Sequence, residues 1–192
     1  MATDHSLKEK ILDVAQARMV RFGYRKVTMD EIAQDLRVSK NTIYKVFIGK
    51  EEIAKGLVKR LQEDINRGLG DLEQRDKDPL KVFSNSILLL RKTLGPWFEH
   101  FFKEIAVELP DLWKEFLRYR NEKILEIRSL VEKGIKKGAL RKISASVAVQ
   151  AYLGSVKAII APRFLEQEHL SFDEALQAVL DIWAHGILRK GR

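Results

Sequence analysis

Lys40, Asn41, Thr42, Tyr44 and Lys45 form a run of side chains suited to touching DNA. Lysine can bond guanine acceptors and asparagine can pair bidentately with adenine, each good pair giving about 1–3 kcal/mol of discrimination. The apolar residues among them, Ile43, Val46 and Phe47, fall at i, i+3 and i+4. That spacing buries one face of a short helix and leaves the polar set outward or on the flanks. Thr28, Ser39 and Lys50 stand at expected helix starts, where N–H groups without helical partners and the positive dipole end attract phosphate. Thr28 and Ser39 are also explained simply as helix caps, and Lys45 as an ordinary solvated side chain.

These side chains need a rigid mount, and the sequence supplies one. Thr28 is followed three residues later by Glu31, a capping box that fixes a helix start. Ile32, Ala33 and Leu36 give that helix one apolar face. Only Arg37 and Val38 intervene before Ser39, a favoured N-cap, so a second helix begins at once. Two helices around a tight turn, the second short and polar on its outer face, predict a helix-turn-helix with its second helix in the major groove.

The pattern extends beyond the motif. Ile11, Leu12, Ala15 and Phe22 lead to Gly23-Tyr24, Thr28, Ile32-Ala33, Val38-Ser39, Thr42, Ile43-Tyr44, Phe47 and Lys50-Glu51-Glu52. This series resembles the N-terminal domain of the TetR family of one-component bacterial transcription regulators, over roughly the first quarter of the chain. Two departures stand out: Ile48-Gly49 occupy the turn that usually carries Pro or Lys then Ser or Asn, and Val46 replaces the first of two aromatics. The resemblance implies that Tyr44 donates to a phosphate. It also implies three helices for DNA and six for regulation, an effector in the second domain, and a dimer built on a four-helix bundle. Repression relieved by the effector is the mode it implies.

Composition bounds the alternatives. Residues 1–50 carry 10 Lys/Arg and 6 Asp/Glu, whereas residues 51–192 carry 25 and 21, so the same surplus is denser near the N-terminus. That distribution favours phosphate binding there. The chain has no Cys, which excludes disulfides, Cys-based zinc sites and thiol catalysis. The N-terminus is polar, and no uncharged apolar run approaches the ~20 residues needed to cross a membrane. A cytosolic protein without membrane partners is expected.

Beyond the reader the pattern is all-α, about nine helices in total. Lys50 to about Gln74 reads as one helix with Ile53, Leu57, Leu61 and Ile65 on a stripe. Asp78-Pro79 opens a helix to about Leu94, closed by Gly95-Pro96. Trp97 to Leu109 forms another, and Pro110 opens one running to about Lys137, where Gly138 stops it. Ser144 starts a helix through Ala161, with Pro162 kinking or ending it. A second capping box, Ser171 with Glu174, starts a last helix to about Leu188. The expected division is a DNA-binding domain over residues 1–50 and an effector-binding and dimerisation domain over 51–192, joined through the helix that starts near residue 50.

Trp97, Phe98, Phe101, Phe102, Trp113 and Phe116 place six of the chain's twelve Phe and Trp residues within 20 positions. Around a Gly-Pro and a Pro-Asp break, they point to an irregular apolar cavity for a small apolar or aromatic effector, with His100 and Tyr152 as polar contacts. The alternative is that the rings merely pack a helical bundle. Ala151, Gly154, Ser155 and Ala158 on one late helix, with Leu176, Val179, Leu180 and Trp183 on another, suggest a homodimer surface, or equally a packing seam within the chain. A dimer predicts a roughly palindromic double-stranded operator. An enzyme finds little support: Glu166 and His169 make one Glu-x-x-His pair where a di-iron bundle needs two. His100 and Glu104, one turn apart, are a surface pair of common type, and no cofactor or metal site is expected. A DNA-binding protein of the same fold serving chromosome organisation or division, and a helical adaptor, are the closer alternatives.

Overall fold

The computed structural model describes residues 2–98, 100–159 and 162–187. Among them are ten α-helices and no strand: α1 (Ala2–Phe22), α2 (Met29–Leu36), α3 (Lys40–Tyr44), α4 (Lys50–Arg75), α5 (Pro79–Phe98), α6 (Phe101–Glu108), α7 (Pro110–Lys136), α8 (Ala145–Ile159), α9 (Pro162–Gln167) and α10 (Phe172–Ile187). The all-α expectation holds, with the six-residue α9 as the addition. No helix among the described residues is long and apolar enough to cross a membrane.

Two boundaries fall elsewhere than the sequence suggests. Gly95-Pro96 does not close α5, which carries Pro96 within it and ends at Phe98. A proline ring clashes with the Cβ of the residue before it, and Gly95 has none. The helix expected over Trp97–Leu109 is therefore divided, with α6 starting only at Phe101. The ends expected at Ala161 and Leu188 lie outside the described residues, as does the Glu166 side chain.

The chain forms two compact units. The first comprises Met1–Arg75 and Asn85–Arg120. Its core joins Ile11, Ala15 and Met19 of α1, Ile32 of α2, Ile43 of α3 and the α4 stripe Ile53, Leu57, Leu61 and Ile65 to Trp97, Phe101, Phe102, Ile105, Leu112 and Phe116. The division expected at residue 50 falls inside this unit, because the aromatic segment that follows α5 packs into the same core as the first three helices.

The second unit comprises Asp76–Ser84 and Asn121–Arg192. Helices α8 and α10 pack together here. Trp183 stacks on Phe83 at 4.4 Å, meets Tyr152 edge-on at 5.6 Å, and its indole N–H donates to the Ala148 carbonyl at 2.6 Å. After α7, Gly138 turns the chain with φ +73°, a conformation glycine adopts without Cβ strain. The Arg141 N–H then donates to the Ile187 carbonyl at 2.9 Å, tying the end of α10 to the turn.

Candidate nucleic-acid interface

Local capping sets the reader geometry. Thr28 is extended (φ −113°, ψ 159°) and its hydroxyl accepts from the Glu31 N–H at 3.2 Å, while Glu31 accepts from the Thr28 N–H at 2.8 Å. Ser39 repeats the device for α3, accepting from the Thr42 N–H at 3.2 Å. The Ser39 and Thr42 hydroxyls also share a 2.8 Å hydrogen bond. Ile43 and Phe47 are buried and clamp α3 to the core, while Val46 is half-buried. Lys40, Asn41, Tyr44 and Lys45 are exposed and Thr42 is half-buried, so the structure brings the expected reading residues together on one short helix and its C-cap.

The cations near this helix are not equivalent. Lys40 donates to Asp30 of α2 at 2.8 Å, a bond that raises its pKa. Lys50, expected to meet phosphate, is turned inward. Its ammonium donates to the Tyr24 and Arg25 carbonyls at 2.9 and 3.3 Å and lies 4.3 Å above the Tyr24 ring. Burial lowers its pKa, against the pull of Glu104, Glu108 and Glu31. Tyr24 is buried beside it, and burial pushes its phenol up. A lysine held this way shapes the turn after α1 more than it offers charge to the outside.

Arg18, Arg25, Asp35 and Glu108, which the sequence did not single out, hold the reader in place together with Glu104, which it offered only as a surface partner of His100. Arg18 of α1 donates bidentately to Asp35 at 2.6 and 2.8 Å and reaches Glu31 at 3.2 Å, fixing α2 across α1. The bond from Arg18 holds Asp35 below the usual carboxylate range; the Thr28 backbone N–H does the same for Glu31. On the opposite flank Glu104 of α6 accepts from the Arg25 N–H at 2.6 Å, and Glu108 pairs with the Arg25 guanidinium at 2.6 Å. The available signal was Glu104 and Glu108 themselves. Two carboxylates one helical turn apart repel each other unless an outside cation or N–H lies between them.

The aromatic residues read as an effector pocket are placed differently from expectation. Phe102 is 2 % exposed and its ring meets Phe116 at 4.3 Å, Phe98 at 5.0 Å, Phe101 at 5.6 Å and Trp113 at 5.7 Å. The rings fill one another's space because their edges and faces pack more densely than they would around a void. Trp97 completes the cluster, and it alone of the expected set borders a groove of about 530 Å³ lined by α1, α4 and α5. Val20, Leu61 and Pro96 give that groove apolar walls, with Asp13, Arg60, Asp64 and Lys92 around them. His100 is exposed at the start of α6, and Tyr152 belongs to the second unit.

The expected dimer strips also separate by burial. Ala151, Gly154, Ser155 and Ala158 are exposed on α8. Leu176, Leu180 and Trp183 are buried within the second unit and Val179 is half-buried. The large apolar residues of α10 cover α8 of their own chain first, since that contact is available without association. What remains outside is the small-residue strip, with Val147 66 % and Ile182 75 % exposed.

Residues 11–57 match the family described as bacterial regulatory proteins, tetR family. An uncharacterized HTH-type transcriptional regulator of Bacillus subtilis (strain 168), YhgD, is 25 % identical over 159 residues, covering 78 % of this chain and 82 % of that protein. Among solved structures, the TetR-family transcriptional regulator from Agrobacterium tumefaciens is similar with a TM-score of 0.76 at 20 % identity, over 97 % of this chain and 100 % of that one. A transcriptional regulator from Saccharomonospora viridis in complex with choline gives 0.78 at 19 % identity, over 97 % and 100 %.

Proposed function

The chain belongs to the tetR family of bacterial regulatory proteins, and from that premise we propose that it is a cytoplasmic, ligand-responsive repressor that binds a roughly palindromic operator as a homodimer. The observation that carries the reading is α3 itself. Its buried Ile43 and the adjoining Phe47 lock it in place, while Lys40, Asn41, Tyr44 and Lys45 lie exposed in a cluster. Asn41 reads a base edge, Lys40 and Lys45 reach guanine acceptors or nearby backbone, and Tyr44, 43 % exposed, donates to phosphate. Thr28 and Ser39 cap their helices and orient these groups. The exposed α8 strip, extended by Val147 and Ile182, supplies the self-association surface.

The effector is a small, largely apolar compound meeting the chain at the Trp97 groove, whose α1 and α4 walls are also reader elements. A compound seated there changes operator affinity only if it favours one arrangement of those helices over another, since equal affinity shifts nothing. The Arg25 turn, held by Glu104 and Glu108, gives α6 a grip on the same reader.

Fluorescence anisotropy against DNA from immediately upstream of the gene, with scrambled competitor, tests the reading. Tyr44→Phe is expected to weaken binding to every sequence, and Asn41→Ala to relax preference at one position per half-site. If both variants bind the operator as wild type does, α3 is not the reading helix. Binding that scrambled DNA removes completely would favour a role in chromosome organisation instead.

A further inference from the structure

Arg37 sits in the turn between α2 and α3 with φ 55° and ψ 39°. It is one of two non-glycine residues with positive φ among the described residues, the other being His169. The turn requires this conformation. The Arg37 N–H donates to the Gln34 carbonyl at 3.0 Å and the Val38 N–H to the Ala33 carbonyl at 3.0 Å, closing α2 in the manner that glycine usually serves. Glycine would adopt it without strain, and an arginine Cβ does not. The side chain returns nothing to the fold for that strain. It is exposed, and no described residue accepts a hydrogen bond from it, pairs with it or stacks on it.

The surrounding charges show what it is free to do. Asp30, Glu31 and Asp35, the three carboxylates of α2, are already paired: Asp30 with Lys40, Glu31 and Asp35 with Arg18. Arg25 is held by Glu108, and Lys50 by backbone carbonyls. Along the α2–α3 segment this leaves Arg37 and Lys45 without a carboxylate among the described residues. One lies two residues before the Ser39 cap and the other is the C-cap of α3, so they bracket the helix at its two ends. A helix lying in the major groove has sugar-phosphate backbone on both rims.

We propose that Arg37 binds a DNA phosphate at the rim of the groove that α3 enters, setting the depth and register of the helix without reading a base. The proposal rests on α3 being the DNA-contacting helix. It identifies a phosphate site on the turn, where sequence pattern alone suggested only a connector. A guanidinium suits this position because its forked donors bond a phosphate bidentately and stay charged at any pH the protein meets.

The test measures binding of wild type, Arg37→Gly, Arg37→Lys and, as a control for net charge, Lys133→Ala. Each is titrated against both a mixed-sequence duplex and the upstream DNA over a series of salt concentrations, and each is melted thermally. Arg37→Gly is expected to melt at or above the wild-type temperature, because glycine relieves the left-handed strain. It is also expected to bind both duplexes more weakly, with the slope of log affinity against log salt flatter by about 0.9 per chain. Arg37→Lys is expected to keep the wild-type slope, and Lys133→Ala to keep both slope and affinity. The proposal is overturned if Arg37→Gly binds like wild type, if it weakens only one sequence, or if Lys133→Ala flattens the slope equally. If wild type itself binds neither duplex, the reading of α3 fails, which is a separate result from a wild type that binds and an Arg37 variant that matches it.

Discussion

Gly23 is fixed by two independent demands. Its φ of +88° is one that a side chain resists, and a Cβ there would stand 2.6 Å from the Glu104 carboxylate. That carboxylate could swing away, but only by releasing the Arg25 N–H it accepts from. Gly23→Ala is therefore expected to cost at least about 1–2 kcal/mol of stability from backbone strain alone. The checking measurement is chemical denaturation; a variant as stable as wild type would show that the turn can be rebuilt. Gly23 directly follows the last residue of α1, and a glycine at a helix end is a local signal that a sequence carries. That signal did not reveal the Glu104 neighbour, which comes from a helix about eighty positions away and is set by tertiary packing. Lys50 is the same case: its place at a helix start was legible, but the inward turn of its ammonium depends on where Tyr24 lies.

At the scale of elements, α2 is held to α1 by charge as well as by Ile32 and Ala33. Asp35 and Glu31 both titrate below their ordinary range in the folded chain. A carboxylate with a depressed folded pKa stabilises the fold above its unfolded value, near pH 4. That contribution is lost as pH falls further, through the folded value. Melting temperature is thus expected to drop as the pH is lowered from about 4, and Asp35→Asn to flatten that drop while lowering stability at neutral pH. Equal acid sensitivity in the two proteins would place the pH dependence elsewhere. These helices were legible because caps and apolar spacing lie within a few residues of one another. The aromatic segment was harder, since a run of rings has the same pattern whether it lines a cavity or fills one. Only the ring-to-ring distances around Phe102 separate the two. The late helices show the same limit: spacing marked a small-residue strip on α8 and an apolar strip on α10 but could not say which of the two the chain would cover by itself.

For the whole molecule, association is tested most cleanly where a substitution cannot disturb the monomer. Gly154 is such a place: a Cβ added there meets nothing within 4 Å. Arginine is also a better helix former than glycine. Gly154→Arg is expected to leave the helical content intact, to give a monomer by light scattering, and to halve the salt slope of DNA binding. A variant that remains dimeric would remove α8 from the interface.

The order in which the chain visits its two compact units bears on how such a protein can be recombined. It leaves the first at Asp76, re-enters at Asn85 and departs again after Arg120. No single crossover point therefore separates the units. A fragment ending near residue 50 would leave Ile11 and Met19, and one ending near residue 75 the α4 stripe as well, without the Trp97, Phe101, Phe102 and Phe116 rings that complete their core. The reader is in this sense not a cassette. A hybrid regulator made by transplanting it would have to carry residues 85–120 as a second insert, and an exchange at one breakpoint would be expected to yield insoluble chains instead of new specificities.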